Sequence, residues 1–235
     1  MSVATVTLAR DEAEERALRG ALQQLSREGL RVAVSDGGSA PAFVEFVRTL
    51  ASFTVVPPIE RGLVGQVKAS LRTAADWQSP FLLYTEPDKR LFFGGRLASF
   101  ISTAPDSADI GIVLAARDEK SFGTFPEFQQ LTEGAFNALC AAIVGERGDY
   151  CYGPFLMNRA LMPYVDGLRP DLGWGWRPFV FATARRLGFR IIHRVDNLPC
   201  PPDQRANDES ERVHRLRQLR QNVEGLLLSF DRTVA

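Results

Sequence analysis

Two carboxylates lie two residues apart in Thr85-Glu86-Pro87-Asp88, which directly follows the apolar run Phe81 to Tyr84. If that run forms a buried strand, Glu86 and Asp88 occupy a loop at its end and can converge on one divalent cation. Their oxygen atoms suit Mg²⁺ or Mn²⁺, and either ion can neutralise charge on a diphosphate leaving group. The alternative is a solvated acidic turn at the end of a strand.

Further acids follow two other predicted strands. Asp36-Gly37-Gly38-Ser39 comes after Val32-Ala33-Val34, and its two glycines let a ligand approach the backbone while the serine can cap a helix. Glu12 lies just past the strand predicted over Val3 to Leu8. Acids gathered at one edge of a sheet repel each other unless a cation or sugar hydroxyls lie between them. For Asp36, an ordinary strand-to-helix turn remains the alternative.

The elements that must position these acids alternate between strand and helix in the first half of the chain. Short, almost wholly apolar strands predict a parallel sheet covered by helices on both faces. We therefore expect a doubly wound α/β fold over residues 1 to about 117, with the acids at the carboxyl edge of the sheet. The further predicted elements of this half are a strand over Phe53 to Val56 and a helix over Gly62 to Trp77.

The second half is less regular. Its predicted elements are a strand over Ile110 to Ala116, helices over Phe125 to Val144 and Phe179 to Leu187, a strand over Arg190 to Ile192, and a terminal helix over about Ser210 to Phe230. We predict a turn at Gly153-Pro154-Phe155 and a loop over Pro170 to Pro178. The apolar face of the terminal helix leaves two alternatives open, pairing between subunits in a homodimer or packing on its own domain.

Composition narrows the class of protein. The 235 residues are 45% hydrophobic, and 28 basic residues balance 28 acidic ones. This balance predicts no general nucleic-acid partner. We find no signal peptide or transmembrane segment in the sequence and expect a cytoplasmic protein. The three cysteines, Cys140, Cys151 and Cys200, are expected to be buried small side chains.

Four motifs in the same order as in a known family resemble the family 2 glycosyltransferases of the GT-A fold: Val6 to Glu12, Val34 to Ser39, Arg61 to Lys68, and Phe81 to Asp88. The resemblance implies a single domain over residues 1–235, with a nucleotide-sugar-binding half (1–117) and an acceptor-side half (118–235). It implies transfer of a sugar from a nucleoside-diphosphate sugar to a hydroxyl of a small-molecule or lipid-linked acceptor, with Mn²⁺ or Mg²⁺. The donor sugar and the acceptor are left open.

The resemblance also implies roles for individual residues. Glu12 and Asp36 would hold the nucleoside, and Lys68 would neutralise phosphate. The nucleotide-sugar contacts would also include Glu86 and Arg117, the latter from a segment, Asp109 to Arg117, that resembles a strand ending in Gly-Ser-Arg. The C-terminal Val213-His214-Arg215-Leu216 resembles the tail of the mannosylglycerate synthases, so His214 would join Glu86 and Asp88 as metal ligands.

On the acceptor side, the sequence departs from the family. Many inverting members carry an acid pair as general base where Trp176-Arg177-Pro178 stands here. Asp171 is the nearest candidate base and Asp149 the next. Retaining chemistry without a base, a base elsewhere in the chain, or an inactive chain would also account for the missing acid pair. Trp174 and Trp176 would stack on a sugar face or pack in the core.

Three alternatives remain beside these roles. His193, in a strand with the apolar Ile191 and Ile192, is interpreted as a packed or edge imidazole rather than a ligand. Arg212, Arg215, Arg217 and Arg220 either contact the diphosphate or form a solvated basic face around His214. The alternative function is a non-catalytic sugar-nucleotide-binding or partner-binding protein of the same fold. A sugar-1-phosphate nucleotidyltransferase is disfavoured because no glycine lies between Leu8 and Glu14.

Overall fold

The computed structural model describes residues 1–105 and 107–231. Asp106 and residues 232–235 belong to the predicted domain 1–235 but lie outside the described residues. The strands are β1 (Ser2–Thr7), β2 (Arg31–Asp36), β3 (Phe53–Val56), β4 (Phe81–Tyr84), β5 (Ile110–Arg117), β6 (Phe155–Asn158) and β7 (Arg190–Asp196).

The longer α-helices follow the predicted amphipathic stretches, whereas four helices of four to seven residues were not predicted. α1 begins after Asp11, whose Oδ1 accepts hydrogen bonds from the backbone amides of Ala13 and Glu14. The helices are α1 (Glu12–Ser26), α2 (Pro41–Thr49), α3 (Leu63–Asp76), α4 (Arg90–Phe93), α5 (Leu97–Thr103), α6 (Glu119–Phe122), α7 (Glu127–Val144), α8 (Met162–Asp166), α9 (Trp176–Arg186) and α10 (Glu209–Asp231). Among the described residues, no helix is both long and apolar enough to cross a bilayer.

The described residues form two compact units. The first comprises residues 1–105 and Pro154–Asp171, and its strands lie in the order β3-β2-β1-β4-β6. The first four run parallel and β6 runs antiparallel to β4, with Phe81 opposite Asn158. Every residue of β1 and β4 is buried. The predicted mostly parallel sheet is therefore confirmed for this unit. Its strands are buried but less apolar than predicted, because Ser2, Thr5 and Thr7 make up half of β1.

The second unit comprises Ser107–Gly153 and residues 172–231. In it, β5 pairs in parallel with β7, from Ile110 opposite Arg190 to Arg117 opposite Asp196. All eight residues of β5 are buried. Helices α7, α9 and α10 pack on one another, and α9 packs on both strands. Packing of α10 on its own unit, one of the two predicted alternatives, is thus observed.

Two local predictions are wrong, and one predicted strand is longer than expected. Phe155 begins β6 instead of completing a turn, because its backbone pairs with Tyr84 of β4. The predicted loop over Pro170 to Pro178 ends early, since a 3₁₀ turn occupies Pro170–Gly175 and α9 already begins at Trp176. The predicted strand over Arg190 to Ile192 extends to Asp196, where it still pairs with β5.

The compact units do not divide at residue 117, because Pro154–Asp171 returns to the first unit. The functional halves 1–117 and 118–235 therefore stay a prediction from the resemblance.

The cysteines agree largely with expectation. Cys140 and Cys200 are buried, Cys151 is half-buried, and all three are free thiols.

Candidate functional site

The order of strands in the first unit marks where a ligand is expected. From β1 the chain continues to β2 on one side, whereas β4 pairs with the other side of β1. Such a reversal opens a crevice beyond the carboxyl ends of the strands, where open α/β sheets bind their ligands. At this edge, Glu12 begins the helix after β1, Asp36 is the last residue of β2, and the Glu86/Asp88 pair lies in the loop after β4.

The carboxyl ends of β1 and β2 are tied together by Asp36. Its Oδ2 accepts from the hydroxyls of Thr7 (2.8 Å) and Ser39 (2.6 Å), and its Oδ1 accepts from the amides of Gly38 (2.9 Å) and Ser39 (2.7 Å). A carboxylate accepts about four hydrogen bonds, so the capacity of Asp36 is filled within the protein. This corrects its predicted role: Asp36 shapes the turn rather than offering open acceptors to a nucleoside.

Gln66 supports the same turn from α3, and sequence reasoning missed it. Its buried amide nitrogen donates to the carbonyls of Thr7 (2.8 Å) and Ser35 (2.9 Å), which lie at the ends of two neighbouring strands. A Cβ atom on Gly37 would lie 2.9 Å from Gln66 Oε1, so this position favours glycine. The available signal was a polar residue between Val64 and Val67 on the buried side of an apolar helix.

A cleft of about 500 Å³ opens at the carboxyl ends of β2 and β3 beside α2. Its size is within the usual range for small-molecule sites. One wall is apolar, and charged and hydroxyl groups complete the lining: Asp36, Gly38, Ser39, Pro41, Val44, Glu45, Arg48, Val55, Val56 and Pro57. The cleft therefore combines apolar side chains with a few polar groups, as small-molecule sites commonly do.

The acidic loop extends β4 in the expected way. Thr85 still donates its backbone amide to the carbonyl of Ala4 on β1 (3.1 Å), so the loop starts at the sheet edge. Glu86 is buried, with 7% of its surface exposed, which is unusual for a carboxylate. Asp88 has a side chain 43% exposed and forms an ion pair with Lys89 (3.1 Å). The loop therefore combines one buried and one accessible carboxylate.

The residues of this loop fit a divalent cation only together with a ligand. Among the described residues, no group of three or more His, Cys, Asp or Glu side chains is arranged to hold a metal ion. The predicted metal-ligand set Glu86, Asp88 and His214 stays a prediction. Mg²⁺ is usually bound through one or two carboxylates with substrate phosphates and waters as its other ligands, and the loop offers that number of carboxylates.

Lys68 departs from its predicted role, whereas Glu12 lies exposed at the start of α1. The Lys68 ammonium is buried and donates to Glu60 Oε1 and to the carbonyl of Leu168, both at 2.8 Å. It therefore joins α3 to the segment after α8 instead of projecting toward a phosphate. The Glu12 side chain is 95% exposed and lies 3.7 Å from Arg16, one turn further along α1. Contact between Glu12 and a nucleoside stays a prediction.

In the second unit, Arg117 and Asp149 form a buried ion pair. Arg117 Nε and Nη2 donate to Asp149 Oδ2 (2.6 Å) and Oδ1 (2.9 Å), and Nη2 also donates to Glu133 (2.6 Å). The Arg117 and Asp149 side chains are only 1% and 7% exposed. The guanidinium also lies over the rings of Phe122 (4.7 Å) and Phe125 (4.5 Å).

This arrangement corrects two predicted roles. Burial would raise the pKa of Asp149, but the charge of Arg117 and the hydrogen bonds from Arg117 and the Cys151 amide together outweigh it, so the pKa of that carboxyl is lowered below its ordinary value. An ionised carboxylate with a lowered pKa and both oxygens engaged is a poor general base. Arg117, held by two acids, is likewise not presented to a nucleotide. Both residues stabilise the second unit.

The two tryptophans predicted on the acceptor side differ in burial. Trp176 is fully buried at the start of α9, so it packs in the core and its predicted stacking on a sugar is wrong. Trp174 is half-buried, and its amide donates to Gln221 Oε1 (3.2 Å). Asp171, the candidate base, has a side chain 72% exposed and forms a two-pronged ion pair with Arg169. Its role stays a prediction.

The two histidines match their simpler interpretations. His193 packs edge-on against the Tyr150 ring at 4.7 Å, and burial lowers the pKa of its imidazole. His214 is exposed on α10 next to exposed Arg212 and Arg217. Metal binding by His214 is not tested by this placement and stays a prediction.

Similar proteins were found through structure. The glucosyl-3-phosphoglycerate synthase of Mycobacterium tuberculosis, solved with Mn²⁺, UDP and glucosyl-3-phosphoglycerate, is 18% identical, and the match covers 97% of this chain and 79% of that one at a TM-score of 0.61. The same enzyme with Mn²⁺, UDP-glucose and phosphoglyceric acid matches at 0.62, with the same identity and coverage. The predicted GT-A-like fold is confirmed. A mycobacterial protein matches at 0.64, with 18% identity and coverage of 97% and 74%.

At this level of identity, the likeness is one of fold. No family model matches the chain, and no curated protein matches its sequence. The specific similarity of the C-terminal segment to the mannosylglycerate synthases stays a prediction.

Proposed function

We propose that the chain transfers a sugar from a nucleoside-diphosphate sugar to an acceptor hydroxyl. The observation that carries this proposal is the Glu86-Pro87-Asp88 loop, which follows β4 directly at the point where the strand order reverses. The solved structures of similar fold contain UDP or UDP-glucose with Mn²⁺, and one contains Mg²⁺ with UDP. A UDP-sugar is therefore the first donor to test.

The cleft beside α2 is the proposed seat of the nucleoside. Its apolar wall, formed in part by Val55, Val56 and Pro57, offers a surface for a flat base. Arg48 and Glu45 supply polar groups at the same opening. Asp36, which lines the cleft, and Gln66 hold the turn after β2 in place.

The acidic loop is the proposed site of Mn²⁺ or Mg²⁺. Glu86 and Asp88 would supply the protein oxygens, and diphosphate oxygens would supply others. The ion, when bound, offsets the negative charge of the departing nucleoside diphosphate. His214 as a further ligand rests on the resemblance alone.

On the acceptor side, Trp174 remains the aromatic residue available to stack on a sugar or on a small-molecule or lipid-linked acceptor. Asp171 is the remaining candidate base, because Asp149 is locked by Arg117. If Asp171 is not the general base, the reaction is one that needs none, as in retaining transfer. Product stereochemistry and an Asp171→Asn variant together distinguish these two routes.

Calorimetric titration with UDP and UDP-glucose, with and without Mn²⁺, tests the proposal. We expect Mn²⁺ to strengthen binding and Asp88→Asn to remove that gain, because the variant loses a charged oxygen ligand. Asp76→Asn, at the end of α3 and exposed, is the matched control and should bind as the wild type does. Binding that ignores both Mn²⁺ and Asp88→Asn contradicts the metal role.

The nucleoside seat has its own test. Pro57→Trp places a large ring in the cleft and should weaken UDP binding. Thr54→Trp, exposed on β3 three residues earlier and outside the cleft lining, should not. Equal affinities of the two variants would place the nucleoside elsewhere.

The second candidate function is non-catalytic binding of a sugar nucleotide. It is favoured by the burial of Arg117, Asp149 and Trp176, which removes one predicted nucleotide-sugar contact and two predicted acceptor-side groups. Release of free sugar from UDP-glucose in the presence of Mn²⁺ distinguishes the two functions. Slow release of sugar that depends on Asp88 supports the transferase function, whereas tight binding without any release supports non-catalytic binding of a sugar nucleotide.

A further inference from the structure

Helix α10 uses only part of its circumference within its own unit. Gly225, Leu226 and Ser229 are buried, and the helix packs on α7 and α9. Other apolar side chains of the same helix stay exposed to solvent: Val213 (40%), Leu216 (51%), Leu227 (62%) and Phe230 (55%). A helix of 23 residues therefore presents a second, largely apolar face.

This second face has the spacing of a coiled-coil seam. The residues Val213, Leu216, Arg220, Val223, Leu227 and Phe230 follow one another at intervals of three, four, three, four and three. Alternation of three and four is the heptad pattern that keeps one stripe of a helix against another helix. The seam, defined by these six residues, extends over roughly 26 Å at 1.5 Å per residue. Along it, only Arg220 is polar.

The seam is complementary to itself when a second copy runs in the opposite direction. A two-fold axis between Gln221 and Asn222 places Val213 opposite Phe230 of the partner subunit and Leu216 opposite the partner's Leu227. Arg220 then lies opposite the partner's Val223, where its aliphatic stem can pack while its charged end reaches the edge. A parallel, in-register pair would instead set Arg220 against the partner's Arg220. Charge thus selects the antiparallel arrangement.

The flank of the seam carries opposite charges at matching positions. Arg217 and Glu224 each directly follow a seam residue and lie on the same side of the helix. The antiparallel arrangement brings Arg217 near the partner's Glu224, and the symmetry repeats this pair. Within the described residues, the Arg217 guanidinium is exposed and takes part in no hydrogen bond or ion pair of its own chain.

We propose that this protein forms a homodimer through antiparallel pairing of the α10 seams. A second copy fits this face better than an anionic membrane, because Glu224 and Asp231 lie along the same face as the arginines. The interface would exclude water from Leu216 and Leu227 of both subunits. Arg220 would fix the register, as single polar residues do at core positions of coiled coils.

Sedimentation velocity over a concentration series tests the dimer without any donor or metal, so its outcome is independent of the proposed transferase function. We expect a reversible monomer–dimer equilibrium for the wild type. Leu227→Glu should raise the dimer Kd roughly tenfold or more, because it introduces charge into the apolar seam. Leu131→Glu on α7 is the matched control, since Leu131 is similarly exposed (69%) but lies off the seam. It should leave Kd unchanged.

A charge swap tests the orientation. Arg217→Glu and Glu224→Arg should each weaken self-association, whereas an equimolar mixture of the two variants should form heterodimers and restore it. Circular dichroism of each variant reports whether the fold is kept. A wild type that stays monomeric throughout overturns the proposal, as does a dimer that Leu131→Glu dissociates and Leu227→Glu does not. Recruitment of the monomer to vesicles containing phosphatidylserine would assign the face to a membrane and overturn the dimer.

Discussion

Removal of the Asp149 carboxylate should destabilise the protein strongly. In Asp149→Ala, the Arg117 guanidinium stays buried, with its side chain 1% exposed, but loses the partner that accepts from its Nε and Nη2. Glu133 alone then balances the charge. Breaking a buried ion pair by removing one partner costs about 3–5 kcal/mol, mostly because a charge is left uncompensated in a medium of low dielectric constant.

For a chain of this length, about 1 kcal/mol corresponds to roughly 2–4 °C in the melting temperature, so we expect Asp149→Ala to lower Tm by roughly 6–20 °C. Asp109→Ala is the matched control. Asp109 also pairs with an arginine of the second unit, Arg190, but their side chains are 50% and 63% exposed. Exposed pairs contribute about 0–1 kcal/mol, so the control should melt within a few degrees of the wild type.

Thermal denaturation followed by circular dichroism, with urea titration as a second measurement, decides the question. Asp149→Asn keeps the shape of the side chain and some of its hydrogen bonds, so its loss of stability should lie between those of the other two variants. If Asp149→Ala and Asp109→Ala reduce the free energy of unfolding by the same amount, the buried pair is not the stabilising feature that we infer.

Three further changes separate structural roles from functional ones. Burial lowers the pKa of His193 below 6.5, so the unfolded chain binds more protons than the folded one near this pH, and the wild type should lose stability as pH falls through 6.5. His193→Phe should show no such loss. Urea midpoints of both proteins at two pH values measure the difference. Gly65→Ala would place a Cβ atom 1.9 Å from the carbonyl oxygen of Glu60 and should destabilise α3. At Gly20, an added Cβ atom has no neighbour within 4 Å, so Gly20→Ala should stabilise α1 by about 0.5–1 kcal/mol in the same melting assay. Trp176→Ala should cost about 3–5 kcal/mol of unfolding free energy, whereas Trp174→Ala should leave stability nearly unchanged and weaken acceptor binding; equal melting temperatures would contradict this division.

The local pattern of apolar and polar residues was sufficient to predict much of the fold. Strands β1 to β4 could be predicted because each is a short apolar run closed by a turn, and α10 was placed within one residue at each end because its apolar face repeats for six turns. β6 was not predicted because it is four residues long and follows a Gly-Pro turn. Its strand character depends on pairing with β4, which is more than 70 residues earlier in the chain.

The candidate site was predictable in outline and not in detail. The acids after β1, β2 and β4 were located correctly, because strand ends are a local property. That Thr7 and Ser39 fill the acceptor capacity of Asp36 depends on distances across the sheet edge. Arg117 and Asp149 were interpreted separately, since 32 residues separate them and nothing local indicates that they meet.

The return of Pro154–Asp171 to the first unit limits how this protein can be divided. A fragment that ends near residue 105 would lack β6 and leave one side of β4 without its hydrogen-bonding partner. It would also lose the carbonyl of Leu168 and the carboxylate of Asp166, which accept hydrogen bonds from Lys68 and Arg72 of α3. Neither unit is encoded by one continuous stretch of chain. A chimaera that takes residues 1–117, the predicted nucleotide-sugar-binding half, from one relative and the rest from another would therefore assemble the sheet of the first unit from two different proteins.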